Sequence, residues 1–410
     1  MAQAAEDGIF YLGAIRFEGN KHTREAILLQ EMRLRPGQRV RRADIEAARQ
    51  AVMDLGLFKS VRASLEEGEE GQVLVITVQE KYYILPAPIL DGDPRTQDVE
   101  YGLELRLDNL MGLNQRVRLS YAHEDASDDE VPKRDEYRLS YSYPRVIGTP
   151  YTVSLDTRLN TEELNARDEA DALGRYQRNR LNVSLGASRW LFPQGPSAGW
   201  RGGLGVSYAS HTYDHVAGVA DLFVDAKAVS LDASLGHAEV HEHSYYRTGA
   251  AYGWNGTLGL PELGSDFSFT RHLFYLRLYH RLPEQDANIN WQLRIGFGRG
   301  EVFDDSAYSI GGFATLRGYP TLRGNAMALS NLEYHQQIPG HPAVSAVSFL
   351  DLGNVYPEVI DMDPADLEAG IGFGLRWRVQ FLVDVTIAAD LGYGLGAGEF
   401  ASYLGTRGSF

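Results

Sequence analysis

The sequence contains no cysteine, so neither a disulfide framework nor a thiolate metal site can form. It has no apolar run near the ~20 residues that a membrane helix requires; "VLVITV" is too short and "FLVDVTIAADL" is interrupted. Helical spanning is excluded, but a β-barrel stays open, because a barrel crosses with alternating residues and near-neutral hydropathy. Positive charge is also scarce: the formal charge is -16, which speaks against a nucleic-acid partner. The signatures of chemistry are missing as well, with no G-x-S-x-G elbow, P-loop or dinucleotide fingerprint. HExxH is absent too, since His241-Glu242 runs into His243-Ser244-Tyr245. A metal needs about four ligands in fixed geometry, so His237, His241, His243 and the pair His211 and His215 read as solvated turn histidines. The expectation is a chain that is not an enzyme and carries no metal or other cofactor.

What is abundant is glycine (43) and tyrosine (23) in 410 residues, a bias of bacterial envelope β-proteins. The opening "MAQAAEDG" reads as an initiator Met on a mature chain whose export signal has been removed. Residues 1–81 have their own rhythm. "YLGAIRFEG" alternates and ends at a Gly-Asn turn, and "TREAILLQEM" follows with Thr23 as a candidate N-cap. In "RRADIEAARQAVMDLGLF", Ile45, Ala48, Val52 and Leu55 form a helical stripe that stops at Gly56. "FKSVRASLEE" and "VLVITVQEK" then read as a hairpin. The order β-α-α-β-β would bury one sheet face under two helices.

From residue 82 to 410 the period becomes two. "RVRLSYAH" sets Val117, Leu119 and Tyr121 against Arg116, Arg118 and Ser120. "LEAGIGFGLRWRVQ" sets Ile371, Phe373, Leu375 and Trp377 against Gly370, Gly372, Gly374, Arg376 and Arg378. A soluble sandwich would alternate too, but its dry core could not hold full charges strand after strand. Long acidic connections ("HEDASDDEVPKRD", "TEELNARDEADALGRYQ", "SHTYDHVAGVADLF", about 300–326) interleave with short ones ("DNLMG", "YPRVIGTP", "LPEQDA", "IPGHP"). The pattern predicts a mainly β chain: a small α/β domain followed by a transmembrane antiparallel barrel of roughly sixteen strands, with the small domain on the short-turn side.

In "IRFEGN", "LRPGQ", "LGLFKSV" and "VQEK", taken in order, the first domain resembles a POTRA module, the polypeptide-transport unit of the BamA superfamily. The resemblance extends over the barrel through "LRGY", Leu316, Arg317, Gly318 and Tyr319, which is similar to the family's Arg-Gly-aromatic signature in a loop folded into the lumen. That loop, about 300–326, falls between the eleventh and twelfth barrel strands. The resemblance implies that Arg317 pairs with Glu333 and Asp351 in the two strands that follow. A guanidinium fork suits carboxylates, and Gly370, Gly372 and Gly374 would clear lumen space for the loop.

In "YYILPAPILDG", Pro86 and Pro88 both point a missing N–H to the same neighbour, so the first barrel strand should be poorly bonded on one side. Either this is a seam against the last strand, or simply an irregular start where the chain leaves the small domain. The terminal Phe410 resembles the aromatic C-terminus by which such barrels are recognised for assembly, although Gly408 and Thr406 fit that pattern less well.

The family likeness implies a bacterial outer-membrane protein, its POTRA domain in the periplasm, that inserts or translocates polypeptides. Its implied partners are unfolded outer-membrane or secreted clients, outer-membrane lipids, and periplasmic chaperones or accessory lipoproteins. POTRA would capture a client by strand addition, or serve as an inert spacer. The sequence carries one such module where general assembly factors carry several. Other readings are a dedicated pore for one secreted partner, of two-partner-secretion or patatin-autotransporter type, and a passive porin or surface receptor.

Overall fold

The computed structural model describes residues 8–93, 98–125, 133–168, 171–191, 198–300 and 307–406. The amino-terminal domain comprises β1 (Ile9–Glu18), α1 (Glu25–Met32), β2 (Gln38–Arg41), α2 (Arg42–Met53), β3 (Phe58–Gly68) and β4 (Gly71–Glu80). Its sheet has the order β2-β1-β4-β3, with β1 and β4 parallel and the other pairs antiparallel. The apolar stripe of α2 (Ile45, Ala48, Val52) and Ile27 and Leu28 of α1 pack on Leu12, Phe58, Leu74 and Ile76. β2 is an addition to the expected β-α-α-β-β order. Four residues of the inter-helix connection pair with Ile9 to Leu12, and the single buried Val40 pins them. So short a piece carries too little alternation to announce itself.

The chain then forms β5 (Ile84–Asp93), β6 (Asp98–Leu110), β7 (Gln115–Asp125), β8 (Arg134–Tyr143), β9 (Tyr151–Asp168) and β10 (Asp171–Trp190). Next come β11 (Ala198–Gly218), β12 (Ala226–Glu242), β13 (Arg247–Gly259), β14 (Phe269–Leu282) and β15 (Ala287–Gly300). A two-stranded hairpin, β16 (Tyr308–Ile310) with β17 (Leu322–Gly324), precedes β18 (Ala326–Ile338) and β19 (His341–Tyr356). The wall ends with β20 (Glu368–Arg378), β21 (Thr386–Gly394) and β22 (Glu399–Gly405). Apart from β16 and β17, β5 to β22 make one antiparallel sheet of sixteen strands, neighbour to neighbour in chain order. The sheet curls until β5 and β22 lie side by side, with no ladder between them among the described residues.

Polarity is inverted relative to a soluble sandwich. On β20, Phe373 (64 % exposed) and Leu375 (51 %) face outward while Arg376 (4 %) faces in. Apolar outside and charged inside is what a lipid-facing wall around a polar lumen requires.

The segment "TEELNARDEADALGRYQ", expected as a long connection, instead belongs to the β9–β10 hairpin, which stays paired from Tyr151↔Arg189 to Asp168↔Asp171. Ladder bonds continue where both faces are polar, so no hydrophobic period marks the strands there. For the same reason β11 runs on to Gly218 and takes in His211 and His215. His237 and His241 likewise lie within β12 rather than in a turn, and only His243 follows a strand end.

The amino-terminal domain docks on the short-turn end. Arg145 Nη1 meets Glu31 Oε2 at 2.8 Å, and Asn109 Nδ2 donates to Thr23 Oγ1 at 2.9 Å. His241 Nδ1 lies 2.9 Å from Asp54 Oδ2, and the Glu242 N–H donates to Asp54 Oδ1 at 2.9 Å. Val383, from the β20–β21 connection, enters the domain's own core.

Glu80 anchors the entry to α1, accepting from the Thr23 N–H and Oγ1, both at 2.7 Å, and from the His22 N–H. Burial alone would push its carboxyl up, but the hydrogen bonds from Thr23 and His22 outweigh it and hold it below the usual range. That stabilisation is present above the unfolded carboxylate value of ~4.3 and is lost as pH falls through the lower folded value. Glu80→Gln should therefore destabilise the domain by about 1.5–3 kcal/mol at neutral pH. The difference should vanish in acid, read from amide exchange of β1 and β4 in the whole chain.

Candidate functional site

Residues 307–325, between β15 and β18, fold inward, and the β16–β17 hairpin carries the tip. Ile310, Leu316 and Tyr319 bury against Met327 and Leu329, so the tip is seated by its own apolar residues. Thr315 Oγ1 bridges the Gly311 N–H and carbonyl, both at 2.7 Å, closing the turn. Gly318 takes φ +89°, and a Cβ there would stand 2.3 Å from the Gly394 nitrogen. A Cβ on Gly370 would stand 2.2 Å from the Arg317 carbonyl oxygen. Loop and wall thus touch backbone to backbone, and neither position admits a side chain.

Arg317 is 2 % exposed. Its Nε and Nη2 donate to the two oxygens of Asp351 at 2.7 and 2.8 Å, and its Nη1 donates at 2.8 Å to both Glu333 Oε1 and Asp390 Oδ2. The guanidinium carbon lies 3.4 Å from the ring centre of Phe349, a cation–π contact. Arg376 bonds both oxygens of Asp390 and reaches Glu333 Oε1 at 3.2 Å. His335 Nε2 lies 2.8 Å from Glu333 Oε2, and Asn331 Nδ2 donates to Asp351 Oδ1 at 2.7 Å. Glu333, Asp351, Arg376 and Asp390 come from four consecutive strands, β18 to β21. Two guanidiniums face three carboxylates, with an imidazole beside Glu333.

Leu316, Arg317, Gly318, Tyr319, Glu333 and Asp351, singled out from the sequence, are brought together here. The sequence reading put Arg376 on the lumen face without giving it a partner, and it missed Asp390, His335 and Phe349. Asp390 was detectable by parity, between the outward Ala389 and Leu391. Tyr319 Oη donates to Glu368 at 2.8 Å and accepts the Gly396 N–H at 2.8 Å. The Gly318 N–H donates to Tyr403 Oη at 2.9 Å, which ties the loop tip to β22. The arrangement ties the loop to the wall. Arg317→Ala should cost about 3–5 kcal/mol by leaving buried Asp351 without its cation and Glu333 and Asp390 with Arg376 alone as guanidinium partner, and Arg317→Lys should not rescue it, lacking the fork. Protease cleavage within residues 307–325, absent in the wild type, would report the released loop.

Pro86 and Pro88 lie on β5 opposite Leu105 and Leu103 of β6. The Asp108 N–H donates to the Tyr83 carbonyl at 2.7 Å, which in this register makes odd-numbered β5 residues the ones bonded to β6. The even-numbered prolines therefore turn their missing donors toward β22. Tyr82 obeys the same parity, its N–H donating away from β6 to the Phe381 carbonyl at 2.7 Å. Phe410 lies outside the described residues. Replacing both prolines by valine should slow amide exchange across Glu399–Gly405; unchanged exchange would show that the prolines do not limit pairing there.

The Omp85 superfamily domain model matches residues 109–382, and a POTRA model, described as a surface antigen variable number repeat, matches residues 10–81. The chain is 21 % identical over 395 residues to the outer membrane protein assembly factor BamA of Nitratidesulfovibrio vulgaris, covering 90 % of this chain and 47 % of that protein. It thus spans about half the length of that relative. Among solved structures, CdiB from Escherichia coli superposes with TM-score 0.70 at 16 % identity, over 96 % of this chain and 75 % of CdiB. CdiB from Acinetobacter baumannii gives 0.66 at 15 % identity, over 97 % and 73 %. BamA from Haemophilus ducreyi lacking POTRA domains 1–3 gives 0.53 at 17 % identity, over 96 % and 83 %. These likenesses agree with the inward-facing charges and the apolar outer wall: the chain belongs to the Omp85 superfamily, a protein of the bacterial outer membrane with its POTRA domain in the periplasm.

Proposed function

We propose that this protein inserts or translocates polypeptides at the outer membrane without nucleotide or cofactor. The observation that carries the reading is the seam. β5 and β22 are neighbours without a ladder among the described residues, and β5 turns two prolines toward that gap. A barrel with one weak closure can part there, and the edges it uncovers template an incoming strand. In the POTRA domain, β3 is the long edge of the sheet, with eleven residues against four in β2, and an extended client adds to it. The Arg317 cluster holds the lumen loop against β18 to β21 while the adjoining seam between β22 and β5 parts.

A second reading, a dedicated secretion pore, draws support from the lumen. A cavity of about 690 Å³ lies between the POTRA domain and the barrel wall, lined by Phe58 and Lys59 of the one and Arg118 and Arg376 of the other. The family's accessory lipoproteins and chaperones belong to the proposal as partners of the POTRA domain.

Reconstitution in liposomes with an unfolded barrel client separates the readings. Accelerated client folding, abolished by Arg317→Ala and by a disulfide across β5 and β22, is the expected result for insertion. Release of a soluble client into the vesicle, untouched by the seam disulfide, would favour the pore. No effect on either client would overturn both.

A further inference from the structure

The chain is acidic at -16, yet its lumen cavity is basic. Among the described residues, eleven Lys and Arg line it against four Asp and Glu. Those four carboxylates are already engaged: Glu104 with Arg106, Asp156 with Arg138, Glu242 with Arg247 and Arg378, and Asp384 with Arg247. Arg116, Arg118 and Arg277 have no carboxylate within 4 Å among the described residues. Asp108 acts electrostatically on Arg116 and Arg118 but forms no ion pair with either. The Nε atoms of Arg116 and Arg277 are buried without a hydrogen-bond partner. Arg118 stands directly opposite Arg106 in the β6–β7 register, a like-charge pairing that opposes sheet formation.

Lys81 also lines the cavity. Burial, and after it the nearby Arg378, lowers its ammonium to about 8. Guanidinium donors buried without partners, and like charges facing each other across a ladder, give this lumen a capacity to bind anions.

We propose that this cavity binds the carboxylates of an acidic polypeptide segment. The distribution of charge favours a chain over a single small anion. Arg116 and Arg118 lie on the third strand of the barrel and Arg277 on the tenth, nearly opposite walls of a sixteen-stranded sheet, so one phosphate cannot serve both. The cavity of about 690 Å³ falls in the size range of binding pockets, ~300–1,000 Å³. Only the source of the carboxylates, a polypeptide in transit, rests on the function proposed above; the preference for anions stands on the lumen itself.

The test is equilibrium binding of a fluorescent glutamate-rich decapeptide to the whole chain in neutral detergent, read by anisotropy. The expected result is saturable binding that weakens with salt and is at least tenfold tighter than that of a glutamine-rich peptide. The triple change Arg116→Gln, Arg118→Gln, Arg277→Gln should weaken it tenfold or more. The corresponding triple change to Lys should keep it, which separates lost charge from lost fold. Equal binding of the glutamine-rich peptide, or an unchanged affinity in the Gln variant, would overturn the proposal. So would displacement by inorganic phosphate at equal charge concentration, which would make the site one for small anions. Failure of client folding in liposomes with peptide binding intact would remove the insertion reading and leave the site.

Discussion

A guanidinium removed from water is tolerable only if carboxylates meet it with good geometry, and much of this structure follows from meeting that condition at Arg317. Three acids from three strands and a second arginine from a fourth converge on a volume that one side chain can span. Charge-assisted, forked bonds are the strongest available, but they are stringent. A slip of one residue in any of β18, β19, β20 or β21 would turn its charge to the lipid side. The cluster therefore fixes strand register and loop position together. The loop cannot leave without stranding acids, and the acids cannot be placed without the four strands in step.

The consequence is a barrel with two unlike halves. From β18 to β21 the wall is stitched to an inserted loop, whose glycine contacts allow no slack. From β5 to β8 the lumen holds Arg116 and Arg118 on β7, which no carboxylate meets within 4 Å among the described residues, and no ladder joins β5 to β22 among those residues. β22 stands between these regimes. It is laddered to β21, it carries Tyr403 against the loop backbone, and Phe313 stacks on the same ring at 6.0 Å. The loop tip is thereby in contact with the strand that borders the gap, so the state of one is felt by the other.

Much of this was legible in the residues because the lipid and the lumen impose opposite demands on alternate positions. Phe373, Leu375 and Trp377 against Gly372, Gly374 and Arg376 declare their sides by alternation alone. Arg317 was marked by its glycine setting and by the likeness of Leu316 to Tyr319 to the family's loop signature, and Glu333 and Asp351 by what that resemblance implies. Asp390 escaped because a lone acid between alanine and leucine looks like any lumen position; only the curl of the sheet brings it to Arg317. The extensions of β9 to β11 escaped for the opposite reason. Beyond the membrane no solvent difference separates the two faces, so strands continue without a period. The docking contacts, Asp54 to His241 and Glu31 to Arg145, join residues far apart in sequence, and nothing local signals either partner.

The two prolines gain their meaning from where the seam is fastened. Tyr82 is bonded through its N–H to Phe381 and bridges Leu382, in the connection between β20 and β21, so the base of β5 is tied to the wall beneath β22. The prolines come four and six residues further on, at the positions that share Tyr82's direction. A donor is thus present where the strand is anchored and missing where it would otherwise zip to its neighbour. Proline is also what blunts an exposed edge against adventitious pairing. On the insertion reading proposed above, the two prolines would both leave the gap unzipped and spare β5 from the wrong partner, and β22, whose described residues include no proline, is the edge able to offer a full set of donors.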